Sequence, residues 1–156
     1  MHITTLKAGV PFNRETLWSL LAQVKHWATW DPDIEDVKMT GPFKQGAKGS
    51  ILFKDGSKQN FCIVKLQPLE SLVLSVTYQH GTELLVKWDL SVQDSLTVVE
   101  QDVTLSGAVL SKMLVRNHKD QLKNRAAVRM RKMFDVAQGT QPQRQGPLSG
   151  RSQPTN

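Results

Sequence analysis

VLSKMLVRNHKDQLKNRAAVRMRKMFDVA, residues Val109 to Ala137, is the stretch on which the fold of this chain turns. Read as one long helix, it gathers Val115, Leu122, Ala126, Met133 and Ala137 into a single apolar stripe. His118 and Arg129, eleven residues apart, fall one above the other on the flank of that stripe. Lys112, Arg116, Lys119 and Lys123 form a second, basic stripe about 60° wide. A helix built this way must cover something apolar, and the residues before it supply a sheet to cover.

Immediately upstream the apolar period changes from helical to two. In Thr97 to Ser106, Val99, Gln101, Val103 and Leu105 share one face, opposite Val98, Glu100, Asp102 and Thr104. Leu84, Val86, Trp88, Leu90 and Val92 alternate before them, and Leu72, Leu74, Val76 and Tyr78 before those. The joins are turn chemistry: Asp55-Gly56, Pro68-Leu69-Glu70, His80-Gly81 and Gln93-Asp94-Ser95. Ile34 to Met39, Ser50 to Lys54 and Lys58 to Leu66 complete the series. Gly41 to Lys48 reads as a turn, because it lacks the adjacent Gly-Lys-Ser/Thr of a phosphate loop.

The chain opens with a short strand, His2 to Ala8, and a helix that Asn13 caps and that runs through Val24. Leu17, Leu20, Leu21 and Val24 give that helix its buried face. Trp27 and Trp30 follow on a short turn that ends before Pro32, so both rings point the same way. They either plug one end of the core or, in the case of Trp30, line a ligand site. The order is strand, helix, about six strands joined by tight turns, then a long helix: an α+β fold with an antiparallel sheet covered on one face.

At 156 residues and 39% apolar content, the chain has the size and composition of one globular domain. No apolar run reaches membrane-spanning length, and Met1 to Lys7 has no signal-peptide core. The lone Cys62 forms no internal disulfide, which fits a cytoplasmic protein; a buried, inert thiol is expected, since no partner histidine accompanies it. The net charge of +6 is local: residues 1–111 hold ten Lys/Arg against twelve Asp/Glu, and residues 112–135 hold eight against two. From Gln138 onward Gln, Pro, Gly, Ser and Thr take over, so residues 1–137 are expected to form the domain and 138–156 a disordered tail.

Val10-Pro11, the run Leu17-Trp18-Ser19-Leu20-Leu21 and the segment His26 to Ile34 resemble the start of the polyketide cyclase/dehydrase family. Gly41-Pro42-Phe43 to Gly49, Thr97-Val98-Val99 to Gly107 and the closing helix extend the resemblance, in order, over residues 2–137. That family belongs to the SRPBCC superfamily, with the START and birch-pollen-allergen-like domains. The resemblance implies a helix-grip fold: a curved antiparallel sheet of roughly six to seven strands wrapped around the C-terminal helix, with two short helices after the first strand. It also implies an elongated apolar cavity, and functions ranging from aromatic polyketide cyclases to carriers of sterols, lipids or quinones. In the family pattern histidines stand where this chain has Trp88 and Gln101, so proton transfer at those positions is not carried over.

Three functions follow. The first is a binding protein for a hydrophobic or aromatic small molecule, lined by Trp30, Phe53, Tyr78, Trp88, Gln101, Val103, Leu122 and Met133. The second is a cyclase- or dehydratase-like enzyme, with His118 or Tyr78 as acid or base and Arg129 holding a carbonyl or carboxylate. The ordinary behaviour of such side chains at a stripe's border is to turn to water, and this is the default for His118 and Arg129. The third uses Lys112, Arg116, Lys119 and Lys123 to dock on an anionic membrane surface or a protein partner, although a solvated helix face is the default for such a stripe. No aromatic residue is interleaved with these charges, so nucleic acid is not expected. His2, His26, His80 and His118 show no ligand spacing, and neither a metal nor a cofactor is expected.

Overall fold

The alternating residues form seven antiparallel strands in one sheet. They are β1 (His2–Val10), β2 (Ile34–Met39), β3 (Lys48–Phe53), β4 (Lys58–Gln67), β5 (Ser71–Thr77), β6 (Glu83–Gln93) and β7 (Leu96–Ser106). The computed structural model describes residues 1–140. Their order across the sheet is β1-β7-β6-β5-β4-β3-β2, so every neighbour is a hairpin partner except β1, which pairs with β7. Register shifts between His2 and Thr4, Ile34 and Asp36, and Ile63 and Lys65 add bulges that bend the strands.

Helix α1 (Arg14–Ala22), a 3₁₀ turn (Val24–His26) and α2 (Trp27–Trp30) come between β1 and β2. Asn13 precedes α1 in an extended conformation, as a capping residue does, although its side chain makes no capping hydrogen bond. A further 3₁₀ turn, Gln79–Gly81, joins β5 to β6. The C-terminal segment is helical from Val109 to Thr140 but not continuous: α3 (Val109–Val115) and α4 (Lys119–Thr140) are separated by a 3₁₀ turn, Arg116–His118. The break begins at Val115, whose φ of −117° and ψ of 6° lie outside the helical region. The chain is thus an α+β helix-grip fold, with α4 running three residues past Ala137. The rest of the expected tail, residues 141–156, lies outside the described residues.

The sheet and the helix bury the faces that period predicts. Val99, Gln101, Val103 and Leu105 of β7 are at most 1% exposed, and Val115, Leu122, Ala126, Met133 and Ala137 at most 4%. Val92 departs from its expected inward place and is 59% exposed, because β6 runs past the helices there towards the turn at Asp94-Ser95. Cys62 also corrects an expectation. The inward residues of β4 are Phe61 and Ile63, so the thiol between them faces outward and is only half-buried.

Gly49 of β3 is a point of close approach. A Cβ there would sit 2.4 Å from the Lys38 carbonyl oxygen and 2.5 Å from the Phe61 ring. Gly49→Ala is therefore expected to cost about 1–3 kcal/mol by forcing β2 and the ring apart. Urea denaturation checks this, and an unchanged midpoint would mean that the sheet edge yields freely.

Candidate ligand-binding cavity

The cavity starts from the two tryptophans of α2. Trp27 Nε1 donates to the Leu21 carbonyl at 2.8 Å and Trp30 Nε1 to the Leu20 carbonyl at 2.9 Å. These carbonyls belong to the last turn of α1, where no helical donor remains to satisfy them. The indoles are thereby locked with their polar atoms spent and their rings inward. Trp27 lies 5.1 Å from Phe61, and Trp30 meets Trp88 edge-on at 5.9 Å.

Between these rings, β3–β7 and α4 is a partly open cavity of about 80 Å³. Trp30, Phe53, Tyr78, Trp88, Val103 and Leu122 all lie on its wall, as does Arg129. Two expected lining residues do not. Met133 is fully buried in the core, and Gln101, also fully buried, stands behind Arg129. The cavity is small, because three tryptophans, none more than 4% exposed, fill the space.

The polar side of the cavity is a chain of contacts. Gln101 Nε2 donates to the Ala126 carbonyl of α4 at 3.0 Å, which turns its Oε1 outward to accept from Arg129 Nη2 at 3.1 Å. Asp31 is 7% exposed on the same wall and accepts from the Asp33 amide at 3.0 Å. Burial raises the Asp31 carboxyl above its ordinary value, and the Arg129 charge offsets only part of that. Burial likewise lowers Arg129, with Asp31 as the chief opposing influence. Nearer the mouth, Arg125 pairs with Asp33 at 3.3 Å; both are partly exposed, so the pair adds little stability. The guanidinium of Arg129 keeps donors beyond the one that Gln101 occupies.

The Asp31 shift has a sign that can be tested. A carboxyl raised in the folded state adds stability below its unfolded pKa and loses it as pH rises through the raised value. Asp31→Asn stays neutral and has no such loss. The melting temperature of the wild type should therefore fall relative to Asp31→Asn as pH rises from below the ordinary carboxyl value of 3.8. Asp55 and Asp102 are shifted downward and are common to both proteins, so the difference isolates Asp31. Parallel curves would remove Asp31 from the account.

The candidate acid–base residues are not all together. Tyr78 lies on the wall, and its hydroxyl is 2.9 Å from His118 Nδ1, with the two rings at 90°. His118 lies in the break between α3 and α4, behind the phenol and off the cavity wall, rather than beside Arg129. Burial pushes the Tyr78 phenol above its usual range, against a smaller pull from Arg125, so it is protonated at neutral pH. Tyr78→Phe removes one side chain–side chain bond and should cost about 0.5–1.5 kcal/mol, read from thermal unfolding.

Sequence reasoning missed Trp27, Asp31 and Arg125 as wall residues. Trp27 carried a signal, since its three-residue spacing from Trp30 puts both rings on one side of the turn. Asp31 before Pro32 looked like the end of a turn, and nothing local marks it as buried.

The architecture and its apolar cavity define the class: a helix-grip fold. Solved structures similar to the chain include DynU16, from the dynemicin biosynthetic locus, with a TM-score of 0.67 and 18% identity over 86% of this chain and 46% of that one. Protein MLL2253 from Mesorhizobium loti gives 0.72 and 15% over 88% and 97%. The di-domain ARO/CYC StfQ of the steffimycin pathway gives 0.70 and 13% over 89% and 52%. The chain thus spans about half the length of DynU16 and StfQ, and at these identities the likeness is one of fold. No protein-family model matches the chain, and comparison with curated protein sequences finds no match either.

Proposed function

We propose that the chain binds a small, predominantly apolar or aromatic molecule between the sheet and α4, with a polar group of that molecule held by Arg129. The observation that carries this is the wall itself. Aromatic and aliphatic side chains surround a space whose wall also holds the Arg129 guanidinium, fixed by Gln101, the pattern of an orienting contact in an apolar site. The cavity volume of about 80 Å³ is smaller than the apolar cavity of about 150 Å³ that admits benzene. A bound molecule therefore also occupies the mouth or displaces part of the wall. This favours a compact ligand over a long lipid chain.

Native mass spectrometry of the purified protein should find a co-purified molecule, and members of an aromatic-acid and phenol panel should raise the melting temperature. At a hundredfold excess over Kd the added stability is about 2.7 kcal/mol. An empty protein that no panel member stabilises would overturn the reading. The SRPBCC and polyketide-cyclase resemblance, and the likeness to DynU16 of the dynemicin biosynthetic locus and StfQ of the steffimycin biosynthetic pathway, are consistent with such a ligand.

One observation favours a second reading, in which the same cavity is catalytic. Tyr78 presents a protonated phenol to the cavity with an imidazole behind it, an arrangement in which the phenol gives its proton to a substrate carbonyl oxygen and takes a replacement from His118 Nδ1–H. Turnover of a bound polyketone that Tyr78→Phe and His118→Gln both abolish, with binding retained, would establish it. Unchanged turnover in both variants would sink it.

A further inference from the structure

Of eight exposed large apolar side chains among the described residues, four lie on α3: Val109 (70%), Leu110 (75%), Met113 (53%) and Leu114 (61%). At 100° per residue they occupy one side of the helix, about 140° wide. Val115, fully buried, points to the opposite side. The helix is therefore held by its minor apolar face, through Val115 and the turn Gln79–Gly81, and shows its major apolar face to the outside. An outward stripe of this kind on a globular protein marks an interaction surface.

The charges around it select the partner. Lys112 and Arg116 flank the stripe, and Lys119 and Lys123 follow just beyond the break, in the first turns of α4. None of these four has an ion-pair partner within 4.0 Å among the described residues. Asp120 is the only acidic residue from Val109 to Phe134. A second copy packed through a two-fold axis would set this cationic edge against itself. The patch also lacks the Trp and Tyr anchors of a stable protein interface. Four flexible aliphatic side chains beside a cationic edge instead match the requirement of an interfacial helix on anionic lipid.

We infer that α3 is a membrane-docking element, which inserts Val109, Leu110, Met113 and Leu114 into an anionic bilayer surface while Lys112, Arg116, Lys119 and Lys123 contact the headgroups. The docking does not rest on the cavity reading, but it lies close to the cavity. Tyr78 of the wall directly precedes the turn that α3 packs on, and it bonds to His118 in the break. A docked α3 thus places a cavity wall next to the lipid, a direct route for an apolar ligand.

The test is sedimentation of the full chain with vesicles of phosphatidylcholine containing about a third phosphatidylserine, at low salt. The wild type should pellet with them and bind pure phosphatidylcholine about tenfold or more weakly. Leu110→Ser/Leu114→Ser should weaken binding about tenfold or more at an unchanged melting temperature, since both side chains are already in solvent. If that variant fails to fold, Lys119→Glu/Lys123→Glu, at two exposed cations, carries the same test. A wild type that stays in the supernatant overturns the inference, as does a folded variant that binds like wild type. So does a wild-type dimer that Leu110→Ser/Leu114→Ser dissociates, because a second copy then covers the stripe. Arg129→Met, which weakens ligand binding under the cavity reading, should leave vesicle binding intact.

Discussion

Trp88→Ala should lower the unfolding free energy by about 3–5 kcal/mol. Trp88 is 1% exposed, pairs with Leu72 and Gln101 across the sheet and packs its ring against Trp30. The site cannot collapse to fill the loss, because Trp30 is held by its bond to the Leu20 carbonyl and the cavity already adjoins the ring. With domains typically stable by about 5–15 kcal/mol, such a loss is large enough to read directly from urea unfolding. The same substitution enlarges the cavity, so bulkier aromatic ligands should gain affinity as stability falls. A destabilisation below about 1 kcal/mol would show that Trp88 lines the cavity without supporting the fold.

Arg129→Met should separate binding from stability. Burial already opposes the Arg129 charge, so replacing it with an apolar chain of similar length removes a desolvation cost along with the bond to Gln101. The stability change is then the balance of opposing effects and smaller than that of Trp88→Ala. Ligand affinity has no such compensation. A charge-assisted hydrogen bond contributes about 1.5–3 kcal/mol, so the best ligand of the panel should bind about 10- to 150-fold more weakly. Arg129→Lys keeps the charge but loses the planar fork and should fall between the two. Isothermal titration reads all three, and equal affinity across them would move the polar anchor elsewhere, with Arg125 the next cation on the wall.

What could be read in the sequence was what local period controls. Val99, Gln101, Val103 and Leu105 announce a buried strand face, and Val115, Leu122, Ala126, Met133 and Ala137 the helix stripe that covers it, because two and 3.6 are the only periods that those backbones allow. The break at Arg116–His118 was not legible. Its residues carry no proline or glycine, and the contact that accompanies the break is with Tyr78, forty residues away. The same holds at the site. A flank arginine can turn either to water or inward, and what holds Arg129 inward is Gln101 of β7, placed by the sheet. Val109, Leu110, Met113 and Leu114 have the spacing of a core face, and only the position of α3 on the finished domain shows that this face looks outward.

The pairing of β1 with β7 has a consequence for biosynthesis. His2 lies opposite Thr104 and Val10 opposite Thr97, so the first strand to be made waits for the last. At roughly 5–20 residues per second of translation, that interval is on the order of 5–20 s. Throughout it the hairpins of β2 to β6 can form as each partner emerges, while Ile3 and Val10, both at most 8% exposed in the finished protein, have nowhere to be buried. The nascent chain thus carries its N-terminal strand as an unpaired, sticky segment until the sheet closes, and that interval is when a ribosome-associated chaperone would have something to hold.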